Sequence, residues 1–82
     1  MKLNDKRGAR LFRAVKACEL RLRNWSSPGE WLFAIYTRDD SYLGCVRLGD
    51  DDALRIDNPS KCARKERLVL EALCREHARI EP

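Results

Sequence analysis

The spacing of apolar positions changes twice along the chain, and each change predicts a new kind of element. Leu11, Val15, Cys18, Leu22 and Trp25 recur at intervals of four, three, four and three. That is the stripe a helix buries on one side. Lys6, Arg10, Arg13, Lys16 and Arg23 fall on the opposite arc. The spacing predicts a helix over about 5–24, capped by Asn4 or Asp5 and stopped by Ser26-Ser27-Pro28-Gly29.

The period then shortens. Trp31 to Thr37 is rich in aromatic and β-branched residues and predicts a strand. Tyr42 to Leu48 and the short Ala53 to Ile56 predict two more, divided by Arg38-Asp39-Asp40-Ser41 and Gly49-Asp50-Asp51-Asp52. Connections this short favour an antiparallel meander. Both faces of the first strand are apolar, Trp31/Phe33/Ile35 on one and Leu32/Ala34/Tyr36 on the other. The pattern does not decide which of them the helices cover.

Helical spacing returns after Asn58-Pro59-Ser60, with Asn58 placed to cap and Pro59 suited to the first helical position. Ala63, Leu70, Leu73, Cys74, His77 and Ile80 share one side of a helix over about 59–80, while Leu68 projects onto the charged side. The expectation is therefore a single α+β domain over 1–82. Its order would be α-β-β-β-α, a three-stranded antiparallel meander with two helices packed on one face.

Composition narrows the class. At 82 residues, 44% hydrophobic and 37% charged, the chain suits one core and lacks the signature of disorder. No run of 18 apolar residues suggests a membrane span, and the first residues lack the apolar stretch of a signal peptide. A cytoplasmic setting is expected. Cys18, Cys45, Cys62 and Cys74 stand 27, 17 and 12 residues apart, with no C-x-x-C and a single histidine. Structural zinc sites bring ligands in close pairs, so free thiols acting as small hydrophobes are expected, with no metal and no cofactor. Cys18 and Cys74 are the pair that a helix–helix contact would bring together.

Catalysis finds little support. His77 lies on an apolar stripe, where a core histidine is expected, and the Asp pairs lie in turns that favour Asp for backbone reasons. No Gly-rich phosphate loop or EF-hand spacing occurs, so no enzymatic activity is expected.

Charge points to binding. Residues 1–23 carry eight basic against two acidic groups, residues 24–58 three against seven, and residues 59–82 six against four. Lys6, Arg10, Arg13 and Lys16 step along the first predicted helix, and Lys61, Arg64 and Lys65 open the last, where cations oppose the helix dipole. These seven are the candidate contacts to an RNA or DNA backbone. The competing expectation is a protein-binding regulator or inhibitor, of the phage- or plasmid-encoded adaptor kind, with a two-signed surface. Trp31, Tyr36, Asp39, Asp40, Tyr42 and Leu68 would be its contacts, and an apolar sheet face would suit a homodimer.

The order α-β-β-β-α and the segment Ser60-Lys61-Cys62-Ala63-Arg64-Lys65, with Ala72-Leu73 further on, resemble the double-stranded-RNA-binding domain. Ser60, Lys61, Lys65, Ala72 and Leu73 match that family's pattern. The resemblance implies a first helix reading minor grooves and a second helix gripping phosphates with its basic start. Arg38-Asp39-Asp40-Ser41 departs from it, standing where the family has Gly-Pro-x-His, and Ile56-Asp57-Asn58-Pro59 replaces its glycines.

Overall fold

The computed structural model describes residues 5–26 and 30–81, without the side chains of residues 5–7. The proposed cap Asn4 and the turn residues 27–29 lie outside the described residues. The chain runs α1 (Asp5–Ala17), β1 (Arg21–Asn24), β2 (Leu32–Tyr36), β3 (Tyr42–Leu48), β4 (Leu54–Asp57), a single 3₁₀ turn (Pro59–Lys61) and α2 (Arg64–Arg79). The strands form one antiparallel sheet in the order β1-β2-β3-β4. The α+β class is as expected, with both helices on one face of the sheet. The sheet has four strands, not three, so the order departs from that of the double-stranded-RNA-binding domain.

The extra strand comes from the end of the predicted first helix. α1 stops at Ala17 because Glu19 turns left-handed, at φ 57°. Leu20 N–H then donates to Val15 O (3.0 Å) and Glu19 N–H to Lys16 O (3.0 Å). That is a Schellman ending, and Val15 and Leu20 supply its apolar contact in the core. The chain leaves extended, and Arg21-Leu22-Arg23-Asn24 pairs with Tyr36-Ile35-Ala34-Phe33. Leu22 and Trp25 fit a helical stripe as well as they fit a strand. Three residues apart, they belong to opposite faces once the chain is extended.

The last helix is also shorter than the spacing predicts. Pro59 opens only the 3₁₀ turn, with Asn58 left-handed (φ 50°) and making no side-chain cap. Cys62 and Ala63 are extended, and α2 begins at Arg64.

Leu22, Phe33, Ile35, Val46, Leu48, Leu54 and Ile56 face the helices and meet Leu11, Ala14, Val15, Leu70 and Leu73. α2 lies across β3 and β4, while α1 packs on α2 and against β1. The register shifts between Ile35 and Tyr36, a local irregularity in the β2–β3 ladder. Gly44 sits there with φ 152°, and a Cβ at this position would lie 2.8 Å from Leu70 Cδ1. Glycine is what lets α2 approach β3 so closely. All four cysteines are free and half-buried, Cys18 and Cys74 included. Burial raises the thiol pKa of both, helped by Glu76 beside Cys18 and Glu71 beside Cys74. No described helix is long and apolar enough to cross a membrane.

Candidate nucleic-acid interface

The basic residues predicted to line a phosphate track have different fates. Lys6 has its side chain outside the described residues. Arg10 is turned inward: Nε donates to Ile80 O (2.9 Å), Nη2 to Ala78 O (3.3 Å) and Nη1 to Asp52 Oδ2 (2.7 Å). Arg13 Nη2 donates to Glu81 O (2.7 Å). Both guanidinium groups thus serve carbonyls at the C-terminal end of α2, where a cation also suits the helix dipole. Lys16 is exposed on α1.

Lys61, Arg64 and Lys65 are exposed in the 3₁₀ turn and the first turn of α2. A helix of 16 residues is about 24 Å long, so these three lie at the opposite end of α2 from Arg10 and Arg13. The seven do not make one patch. His77 is 1% exposed and Nε2 lies 3.0 Å from Asp52 O. A carbonyl only accepts, so Nε2 carries the proton and the ring anchors the β3–β4 turn.

The helix-free face of the sheet is where aromatic and basic side chains converge. Alternation along the strands brings Arg21 and Arg23 of β1, with Trp25 just beyond, onto that face. Leu32, Ala34 and Tyr36 of β2, Tyr42, Cys45 and Arg47 of β3, and Arg55 and Asp57 of β4 join them. Trp25 and Tyr42 remain 47% and 51% exposed, yet their rings stack at 5.8 Å and 20°. Trp25 N–H donates to Leu32 O, which puts it level with one neighbour of Ala34, and Tyr42 pairs with the other, Tyr36. The two rings therefore converge above Ala34, which has no exposure although no helix covers it. Tyr36 meets Tyr42 edge-on at 5.5 Å, and the Arg23 guanidinium lies 5.1 Å from the Tyr36 ring centre. A small residue at the centre lets large ones lean together.

Carboxylates frame the arginines. Arg21 pairs with Asp40 (2.9 Å), Arg55 with Asp51 (3.0 Å), and Arg47 with Glu30 (2.7 Å) and Asp57 (3.1 Å). Of these acids only Asp57 belongs to a strand; the others reach in from the connections. The hydrogen bond from Arg55 brings the Asp51 carboxyl down to about 2. Hydrogen bonding with the Cys45 thiol, then burial, pushes the Tyr42 phenol up to about 12. Asp39 is held low by the Thr37 hydroxyl within its own turn.

Among the residues expected to contact a protein, Tyr36 and Tyr42 come together here, and Asp39 and Asp40 lie in the turn at one end of the face. Trp31 does not join them. It packs half-buried against the core on the helix side. Leu68 is exposed on the outer surface of α2, away from the sheet. Arg21 and Arg23 stand outside both sets of expected contacts because the spacing predicts helix over about 5–24. Trp25, an aromatic anchor expected on that helix's apolar stripe, stands instead beside a strand. Their signal is the alternation Arg21, Arg23, Trp25 on either side of Leu22 and Asn24. Among the described residues no three His, Cys, Asp or Glu side chains cluster as a metal site requires. Comparisons with protein-family models, with curated proteins and with solved structures gave no match.

Proposed function

We propose that this chain is a non-catalytic domain that binds nucleic acid, and that it does so on the helix-free face of its sheet. The observation carrying the reading is the stacked, half-exposed Trp25–Tyr42 pair among four strand-borne arginines. Aromatic rings stack on bases, and guanidinium groups match phosphate oxygens in a planar fork. The exposed pairs Arg21–Asp40 and Arg55–Asp51 contribute little, so a phosphate competes readily for those two arginines, whereas Arg47 is held by Glu30 and Asp57 together. The net charge of +4 draws a polyanion towards the molecule as a whole, although residues 24–58, which carry β2 to β4, have three basic against seven acidic groups. Four free thiols support a reducing, cytosolic setting.

The test is fluorescence anisotropy with labelled RNA and DNA, single-stranded and duplex, at about 50 mM salt. Binding to at least one of them is expected; silence with all four overturns the reading. A second reading has one observation in its favour, namely that three of the four arginines already have carboxylate partners. A protein with a two-signed surface would preserve such pairs while covering Trp25 and Tyr42. A stoichiometric partner surviving nuclease treatment, together with no binding to nucleic acid, would decide for it.

A further inference from the structure

We infer that the nucleic acid is single-stranded RNA, crossing the strands from β1 towards β4 with a base stacked on the Trp25–Tyr42 pair. The inference rests on the nucleic-acid reading and specifies its ligand. Three features of the face carry it.

The first is what an aromatic pair reaches. Bases within a duplex are already stacked on their neighbours, so rings standing on a sheet meet them only when a strand is open. Trp25 and Tyr42 are aligned with each other before any ligand arrives, and Tyr36 braces Tyr42 edge-on. A base that joins the stack finds rings with little freedom left to lose, and this preorganisation favours binding.

The second feature is the direction the charges allow. Asp39 and Asp40 lie in the β2–β3 turn, at one end of the strands. Glu30 and the turn from Asp50 to Asp52 lie at the other end. A duplex wide enough to span the face brings phosphates against both acidic ends. A single strand laid across the middle of the sheet meets Arg23 and the aromatic pair first, and it gains Arg21, Arg47 and Arg55 only where a phosphate displaces Asp40, Glu30 or Asp51 from them. Three inter-strand steps make that path about 14 Å long, and sheets of this width stack roughly two or three bases.

The third feature selects the sugar. Asp57 stands on the path beside Arg47 as the one strand-borne carboxylate of the face. It repels phosphate, and its oxygens already accept from Arg47 (3.1 Å) and Asn58 Nδ2 (3.5 Å), but each keeps a second lone pair for a ribose 2′-hydroxyl, a donor that deoxyribose lacks.

The experiment compares one unstructured sequence of about ten nucleotides as RNA, as DNA and as an RNA duplex, at low salt. The single RNA strand should bind roughly tenfold tighter than the duplex and more tightly than DNA. Trp25→Ala and Tyr42→Ala should each weaken it by roughly 5- to 150-fold, the range of one base–aromatic stack. Tyr42→Phe, which keeps the ring, should bind like the parent chain. RNA should also quench the intrinsic tryptophan fluorescence, and Trp25→Phe should remove that signal, a readout that needs no disruptive variant.

Duplex binding as tight as single-strand binding, or binding unmoved by both Trp25→Ala and Tyr42→Ala, would overturn this inference and leave the wider reading intact. DNA binding as tightly as RNA would overturn the choice of sugar. Failure of every nucleic acid would remove both readings together.

Discussion

Gly44 shows most directly how one residue governs this fold. Its φ of 152° disfavours any side chain, and the space beside it is filled by Leu70 and Cys62. Gly44→Ala should cost about 1–3 kcal/mol through backbone strain and overpacking, visible as a lower urea midpoint with an unchanged m-value. Tyr42 offers a pH signature. Its phenol is pushed up to about 12, chiefly by hydrogen bonding with Cys45. The folded chain therefore holds this proton where the unfolded chain loses it. The resulting stability is fully present below about pH 10 and fades as the pH rises towards about 12. Tyrosinate absorbance in a Tyr36→Phe background should show this late ionisation, and Cys45→Ala should bring it back towards the ordinary value. An unchanged titration in Cys45→Ala would contradict the assigned cause.

Helix α1 illustrates how an element can end without the residue that usually ends it. Glu19 occupies the left-handed position that glycine normally fills. Its ion pair with Arg38 spans 3.5 Å between exposed side chains and contributes little. Glu19→Gly should therefore stabilise the chain by about 0.5–1 kcal/mol in thermal or urea unfolding. Arg10 joins elements instead of ending one, tying α1 to the last carbonyls of α2 and to the β3–β4 turn. Arg10→Met should lose about 1–3 kcal/mol of stability, whereas Lys16→Met should stay within about 0.5 kcal/mol. If instead both variants kept full stability and lost RNA binding equally, the helix-face expectation would regain its standing. The apolar stripes of both helices and the segments of β2, β3 and β4 were legible in sequence. β1 was not, because five residues that alternate like a strand also continue a helical stripe.

For the molecule as a whole, the proposed binding of nucleic acid through the sheet face predicts a salt signature. Each phosphate neutralised on a single strand contributes about −0.7 to the slope of log K against log salt. With one to four arginines engaged, the slope should fall between about −0.7 and −3, and Arg23→Gln should make it shallower by about 0.7. Titrations at several salt concentrations measure this directly, and a flat dependence would mean that stacking alone holds the strand. Sequence by itself determined the α+β class, the two amphipathic helices, the meander and the excess of positive charge. Those properties follow from local period and composition, which each segment carries within itself. Only the tertiary structure decided that Arg10 and Arg13 fasten α2, that Leu32/Ala34/Tyr36 is the open face, and that Trp25 meets Tyr42 above Ala34. Whether an arginine faces solvent or a helix end depends on what packs beside it. The helical stripe of Leu22 and Trp25 could be broken only once pairing with β2 supplied the hydrogen bonds that the helix gave up.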